Sequence, residues 1–426
     1  MRPPLLAAVA CLLLPFVVIA VALAAREPEA PPSPAPTPAP TATPSADASA
    51  TPAPDLPIAG PGLAVGVTEF NPNLVSTGEL PAPWAGVRDA LGAIRPRYFR
   101  LVIDWSAIQP SAEAPADLEV PQTGCSRDVK PCLEWLGVRA QLRALASRQR
   151  EGGWQALVVI AWTPEWAAGG AGGCERPGTP ARARPPRVDA LPAYRQLIAD
   201  VLAAAEEEGA TLRFWSPWNE PNHPGFISPQ RGVCDPATPS GAPAVYTELA
   251  RTMSQALDEA PGEQQLLLGE TAGLLKPTRL VTSVPEFIAG LPSDLVCASP
   301  VWTQHAYVGG DDPVEATAAA LAAHGCPQPH TLWITETGVG SAPRDLSAAD
   351  AIPDPVAGCR ALHDRLVQWW QDPRVTVAFQ YTVREDDRFA TGLVTSDLTS
   401  THPALAEWTA WGGAREPAAP PPAPTC

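Results

Sequence analysis

At 426 residues the chain can form one large domain or two small ones, with room for a sizeable core. Its 29 Lys+Arg against 45 Asp+Glu give a formal charge of -16, which excludes nucleic acid and anionic membrane surfaces as partners and leaves neutral or cationic ligands.

Residues 1–25 begin with Arg2, run through an apolar stretch over 5–25, and carry the small-residue pattern Ala22-Leu23-Ala24 before Arg26. That is the pattern of an export signal, and the stretch is also long enough for a membrane anchor. It is therefore read as a cleaved signal peptide or a retained signal anchor. The chain is expected to be secreted or held on the extracellular face of the cell envelope. Cys11 lies inside this stretch, with Ala8 where a lipid-attachment signal places leucine, and is read as unmodified. Residues 26–57 are almost all Pro, Ala, Thr and Ser, too poor in apolar surface to fold, and read as a semi-extended spacer. Residues 414–426 form a shorter Pro/Ala-rich tail, which leaves 58–413 as the folded unit.

Within it, strand and helix signals alternate in eight rounds. The expected strands are 63–67, 98–103, 156–161, 212–218, 266–269, 301–305, 332–335 and 375–381. The expected helices are 84–94, 133–150, 192–208, 244–260, 284–291, 313–324, 356–371 and 403–411. The third helix is clearest, because Leu191, Tyr194, Leu197, Ile198, Val201 and Leu202 mark one face at helical spacing. Eight rounds favour a single eight-stranded parallel β/α barrel, and the chain has no Gly-x-Gly-x-x-Gly or phosphate loop to argue for an open doubly wound sheet. In such a barrel the chemistry sits on loops that follow the strands. The loops after strands two, three and four, at 106–131, 163–187 and 219–241, are long and rich in Gly and Pro.

The fourth strand ends in Leu212-Arg-Phe-Trp-Ser-Pro-Trp-Asn-Glu-Pro-Asn222, where Pro221 forbids continuation and leaves Asn219 and Glu220 at the strand's end. A carboxyl placed there beside an amide suits general acid/base work on a glycosidic bond, which needs a second carboxylate. Thr331-Leu-Trp-Ile-Thr-Glu-Thr-Gly338 delivers one, Glu336, at the end of another apolar strand. These motifs resemble the clan A glycoside hydrolases, retaining glycosidases built on a β/α barrel, and the resemblance spans roughly residues 60 to 412. It implies that Glu220 is the acid/base and Glu336 the nucleophile.

The resemblance extends to Arg100 on the second strand, where the clan's arginine orients the nucleophile; an ion pair with a nearby acid is the plainer reading. Gln304-His-Ala-Tyr307 matches the clan's sixth-strand His-x-Tyr, so that Tyr307 approaches the nucleophile and His305 supports the acid/base or the substrate. Trp162 and Trp166, in Ala161-Trp-Thr-Pro-Glu-Trp166, are candidates for stacking on sugar rings, although core packing is the commoner fate of any one tryptophan. The histidine that cellulase-like members carry in that region is absent here. Glu165 and Glu270 are read as solvated or ion-paired loop carboxylates. Many relatives place a tryptophan facing the sugar on the eighth strand; here Tyr381 or Gln380 fills that position, and Arg384 and Asp386 are expected to shape the cleft floor.

The implied reaction is hydrolysis with retention: Glu336 ionised, with Arg100 and Tyr307 holding its charge, Glu220 protonated, and Asn219 on the 2-hydroxyl. It requires no metal and no organic cofactor, and the implied partner is a carbohydrate. A transglycosylase would use the same residues, and a non-catalytic carbohydrate-binding barrel is the reading from another class. The clan spans cellulose, mannan, xylan, β-galactosides and smaller glycosides, so the resemblance names the bond and leaves the sugar open. Outside the leader the chain has eight cysteines, an even number that reads as disulfides in an exported protein. Proximity in the proposed barrel suggests Cys125–Cys132, Cys174–Cys234 and Cys297–Cys326, which leaves Cys359–Cys426 by elimination.

Overall fold

A computed structural model describes residues 62–120, 137–340, 351–385, 390–412 and 421–426. The leader, the spacer, Asp386 and the Cys125–Cys132 pair lie outside these residues. Among the described residues, no helix is long and apolar enough to cross a membrane.

The elements alternate in chain order: β1 Ala64–Thr68, α1 Pro72–Val75, α2 Trp84–Ile94, β2 Tyr98–Asp104, α3 Trp105–Ile108, α4 Val138–Gly152 and β3 Gln155–Ala161. There follow α5 Leu191–Glu208, β4 Phe214–Ser216, α6 Ala242–Glu259, β5 Gln265–Leu266, β6 Leu268–Thr271, α7 Val284–Ala289, α8 Ser293–Ala298 and β7 Val301–His305. The last are α9 Val314–Ala322, β8 Thr331–Thr337, α10 Pro355–Gln371, β9 Val375–Tyr381 and α11 Ala404–Trp411. All neighbouring strands pair in parallel, in the order β5-β4-β3-β2-β1-β9-β8-β7-β6. This is a nearly closed parallel β/α barrel.

Nine strands fill eight positions because the fifth is in two pieces: β5 pairs with β4 and β6 with β7. Between them the Leu267 amide still donates to the Trp215 carbonyl, at 2.7 Å. Within β6 the pairing with β7 also slips, between Leu268 and Thr271. Gly269 takes φ +120°, and a Cβ there would stand 2.1 Å from the Thr303 carbonyl oxygen, so only glycine can occupy the position. Side chains then replace the missing ladder bonds: the Gly269 amide donates to the Tyr246 hydroxyl at 2.7 Å and the Glu270 amide to Thr303 Oγ1 at 2.6 Å.

Other boundaries differ for equally local reasons. The fourth strand is shorter than expected, since Pro217 has no amide to continue the ladder. The expected helix 284–291 is α7, which ends before Gly290, and α8 is a further short helix that starts after Pro292 and was not expected. The seventh strand position runs two residues further than expected and includes Glu336.

Strand alternation builds two apolar layers. Tyr98, Val102, Leu157, Val159, Phe214, Leu267, Trp333, Val377 and Phe379 fill the barrel interior. Their alternates, among them Phe99, Leu101, Ile103, Val158, Ile160, Trp302 and Ile334, pack outward against the helices. Most of the tryptophans that describe the core are fully buried, including Trp105, Trp215, Trp218, Trp302, Trp333, Trp369, Trp408 and Trp411.

Three disulfides join Cys174–Cys234, Cys297–Cys326 and Cys359–Cys426, as expected. The first ties the loop after β3 to the loop after β4, and the Cys174 amide reinforces it by donating to the Arg231 carbonyl at 2.9 Å. The last holds residues 421–426 against α10 and α11, where Thr425 donates from its amide and hydroxyl to the buried Glu407.

Candidate active site

The barrel's inner alternation sends Arg100 into the interior, between Tyr98 and Val102 on β2. It is only 1% exposed, and a guanidinium can be buried there only if carboxylates surround it. Two do. Arg100 Nη1 donates to Glu336 Oε1 at 2.8 Å, and Nε to Glu270 Oε2 at 2.9 Å. Nη2 donates to Glu270 Oε2 and to Asn219 Oδ1, both at 2.5 Å. Since Asn219 accepts through its oxygen, its NH2 is the end left to meet a ligand.

The two glutamates reach the interior by the same device. On β8, alternation from Trp333 would turn Glu336 outward, but the register with β7 slips, pairing Gln304 with Ile334 and His305 with Glu336. The extra residue reverses the alternation and turns Glu336 in. The break between Leu268 and Thr271 does the same for Glu270, which sits at φ +52°.

His305 stands among three carboxylates. Its Nδ1 lies 2.9 Å from Glu220 Oε1 and 3.4 Å from Glu336 Oε2, while Nε2 lies 3.3 Å from Glu270 Oε2. The Tyr307 hydroxyl donates to Glu336 Oε2 at 2.6 Å. His223 Nδ1 approaches the other oxygen of Glu220, at 3.7 Å. Glu220 takes φ +40°, and its amide donates to the Glu270 carbonyl at 2.9 Å, so the backbone of one site glutamate rests on that of another.

Burial opposes every charge in this cluster, and the neighbours decide the outcome. For Glu270, burial is outweighed by Arg100 and His305, which bring its pKa down to about 2. For His305, burial is outweighed by Glu336, Glu220 and Glu270, which raise it to about 9. Burial also works against Arg100, but Glu270 and Glu336 hold its pKa above the usual arginine value. In the remaining pair the two carboxyls are pushed in opposite directions. Burial, and the charge of Glu220, push Glu336 up despite His305, Arg100 and Tyr307. The hydrogen bond from His305 and the charges of His223 and Arg100 bring Glu220 down against its burial. The two glutamates titrate as a pair beside one imidazolium, with one oxygen of each within 4.8 Å of the other. Glu220, His305 and Glu336 also converge closely enough to hold a metal ion, but Arg100 already lies against Glu336, and a guanidinium there repels a second cation.

The other expected site residues are placed as follows. Tyr381 closes the cluster edge-on to Tyr307, with ring centroids 6.4 Å apart. Gln380 is buried and donates to the Thr382 and Thr391 carbonyls. Trp162 lies just past β3 at φ +58°, stacked on Phe226 at 5.3 Å, with the Arg182 guanidinium 5.4 Å from its ring. Trp166 is not brought into the cluster: its indole N–H donates to the Gln109 carbonyl at 2.8 Å and its ring meets Trp105 edge-on. Arg384 lies over the Trp84 ring and donates to the Ser396 carbonyl, holding a loop together. Glu165 is exposed, in line with its plain reading.

Glu270 is ion-paired with Arg100, in line with its plain reading as a solvated or ion-paired carboxylate, but its place in the site, like those of His223 and Glu69, is not read from the sequence. Glu69, just past β1, is buried and accepts from the amides of Asn71, Val383 and Arg384, joining the loop after β1 to that after β9. Glu69 and Glu270 share the signal that marked Glu336, an apolar strand ending in glutamate.

No protein-family model matches the chain, and no curated protein matches it. Among solved structures the chain is similar to SrfJ from Salmonella typhimurium, with a TM-score of 0.52 and 10% identity over 82% of this chain and 74% of that one. It is also similar to a GH39 β-xylosidase from Caulobacter crescentus, with a TM-score of 0.51 and 15% identity over 82% of this chain and 70% of that one. At these identities the likeness is one of fold.

Proposed function

We propose that this chain is an exported, retaining glycoside hydrolase that acts on an O-glycosidic bond, with Glu220 as acid/base and Glu336 as nucleophile. The observation that carries the proposal is the convergence of the two carboxylates on one imidazole, with Glu220 Oε1 2.9 Å and Glu336 Oε2 3.4 Å from His305 Nδ1, although β4 and β8 do not neighbour each other in the sheet. Retaining enzymes need such closeness because one carboxylate attacks directly, whereas inverting enzymes leave room for a water between the pair. The name of the GH39 β-xylosidase with the same fold supports the reading. Three disulfides support export, since they persist in oxidising surroundings.

The steps follow from the contacts. A bound sugar places its electron-poor anomeric carbon against Glu336 and the lone pairs of the glycosidic oxygen against Glu220. Both draw the proton shared by the pair onto Glu220. Glu336 then attacks C1, the C1–O bond breaks, and the Glu220 proton passes to the leaving oxygen. The Asn219 NH2 donates to the 2-hydroxyl, a contact that strengthens as charge develops on the ring. In the second step Glu220, now a carboxylate, takes a proton from water, which attacks C1 and releases Glu336.

The test is a panel of aryl β-glycosides with the wild-type chain and the Glu336→Ala and Glu220→Ala variants, with and without azide. Azide is expected to yield the α-glycosyl azide with Glu336→Ala and the β-glycosyl azide with Glu220→Ala. Unimpaired turnover in either variant, or no turnover of any glycoside by the wild type, would overturn the proposal.

A further inference from the structure

The mechanism above uses two of the three carboxylates around His305. The third, Glu270, is fully buried on a broken strand and contacts both cations of the site. We propose that Glu270 is a positioning residue whose fixed negative charge lets His305 stay an imidazolium while the Glu220–Glu336 pair keeps one proton, which a bound sugar draws onto the oxygen of Glu220 that His305 does not touch. This inference rests on the glycosidase reading for its consequence in catalysis, though not for its charge argument.

The groups facing His305 are Glu220 from the loop after β4, Glu270 on β6 and Glu336 on β8. Arg100 on β2 reaches the same glutamates, His223 lies beyond Glu220, and Tyr307 follows on His305's own strand. Two cations, Arg100 and His305, face three carboxylates. In a buried site such a set is neutral only when one carboxylate holds a proton. Glu270, drawn down to about 2 by Arg100 and His305, is not the one. The proton therefore belongs to the Glu220–Glu336 pair, leaving one acid and one nucleophile. Without the Glu270 charge, the same two cations would be balanced with both members of the pair ionised, and no acid would remain.

His305 decides where that proton points. Its Nδ1–H donates to Glu220 Oε1, so once the proton is drawn onto Glu220 it sits on Oε2. During bond cleavage the hydrogen leaves Oε2 for the departing oxygen, and in the second step a water proton returns to it. His305 keeps its own proton throughout.

Two measurements test this. In the first, the chain with 13C/15N-labelled histidine is titrated by NMR, with the His305 signals assigned by loss in His305→Gln. The wild-type imidazole is expected to remain protonated well above pH 7, and Glu270→Gln to lower its titration by at least one pH unit. A neutral His305 at pH 7 in the wild type, or the same titration in both proteins, would overturn the proposal whether or not the chain cleaves glycosides. The second is the pH profile of kcat/KM. In Glu270→Gln the alkaline limb should move at least one unit toward acid, and the loss of rate should be greater for alkyl than for dinitrophenyl glycosides, which need no acid. Glu270→Asp, which keeps the charge, should hold the limb near its wild-type position. An unmoved limb with equal losses on all leaving groups, or a limb that moves alike in both variants, would leave Glu270 a packing residue.

Discussion

Raising the pH from 6.5 to 9 should weaken the fold through a single imidazole. An unfolded histidine loses its proton near 6.5, whereas His305 in the fold holds it to about 9. Between these values the folded chain binds one proton more than the unfolded one. The raised pKa therefore adds stability that is fully present below 6.5 and lost as the pH rises through 9. A span of about 2.5 pH units at about 1.4 kcal/mol per unit comes to about 3.5 kcal/mol, of which about 3 kcal/mol falls between pH 6.5 and 9. His305 is 1% exposed, so solvent screening does little to reduce the figure. The assay is urea unfolding of the wild type and of His305→Gln at half-unit steps across this window, with the disulfides intact. Groups remote from His305 cancel in the difference, which should shrink by about 3 kcal/mol from pH 6.5 to 9. Parallel curves would refute the claim that His305 is a buried cation.

Three further substitutions probe the same cluster. Arg100→Met removes the guanidinium that binds Glu270 and Glu336 and leaves buried carboxylates without it; calorimetry should show a loss of about 3–5 kcal/mol, together with loss of turnover. Tyr307→Phe deletes the hydroxyl that donates to Glu336 at 2.6 Å. A hydrogen bond to a charged group contributes about 1.5–3 kcal/mol, so kcat should fall about 10- to 100-fold with little change in melting temperature. Thr303→Val keeps the shape but removes the oxygen that accepts from the Glu270 amide at 2.6 Å, and leaving that buried amide unpaired should cost about 1–3 kcal/mol in urea unfolding.

Alternation explains which parts of this site could be read from the chain. On β2, the order Tyr98-Phe-Arg-Leu-Val102 already places Arg100 on the inner face, and the plainer reading of an ion pair and the reading as an orienting arginine describe the same contacts. On β7, Val301, Thr303 and His305 share that face without interruption. Glu336 and Glu270 are different, because alternation alone turns both outward. Each ends an apolar strand, but only Glu336 is also carried by the family resemblance. The stretch 266–269 reads as one continuous strand, and Gly269, where the register with β7 slips, looks like an ordinary strand end. What broke the pattern was the close approach of the Thr303 carbonyl, a contact between strands far apart in sequence. The indole of Trp166 was out of reach for the same reason, since its partner is the Gln109 carbonyl on a different loop.

The strained backbone lies where these readings fail. Trp162, Glu220 and Glu270 follow or end β3, β4 and β6, and all three adopt the left-handed conformation that side chains normally avoid. Each such residue costs about 1–3 kcal/mol and persists only where the surroundings fix it. Here the fixing contacts run from one strand end to the next. The Asn219 amide donates to the Ile160 carbonyl, the Glu220 amide to the Glu270 carbonyl, and the Glu270 amide to Thr303 Oγ1. The strain therefore belongs to one chain of backbone contacts rather than to separate turns. That chain sets where Glu220 stands relative to Glu270 and, through His305, relative to Glu336. A glutamate at a relaxed strand end would continue the alternation and point away from the barrel axis. Turning the carboxylates inward requires the backbone to leave the regular strand, and the buried ion pairs with Arg100 and His305 stabilise that departure.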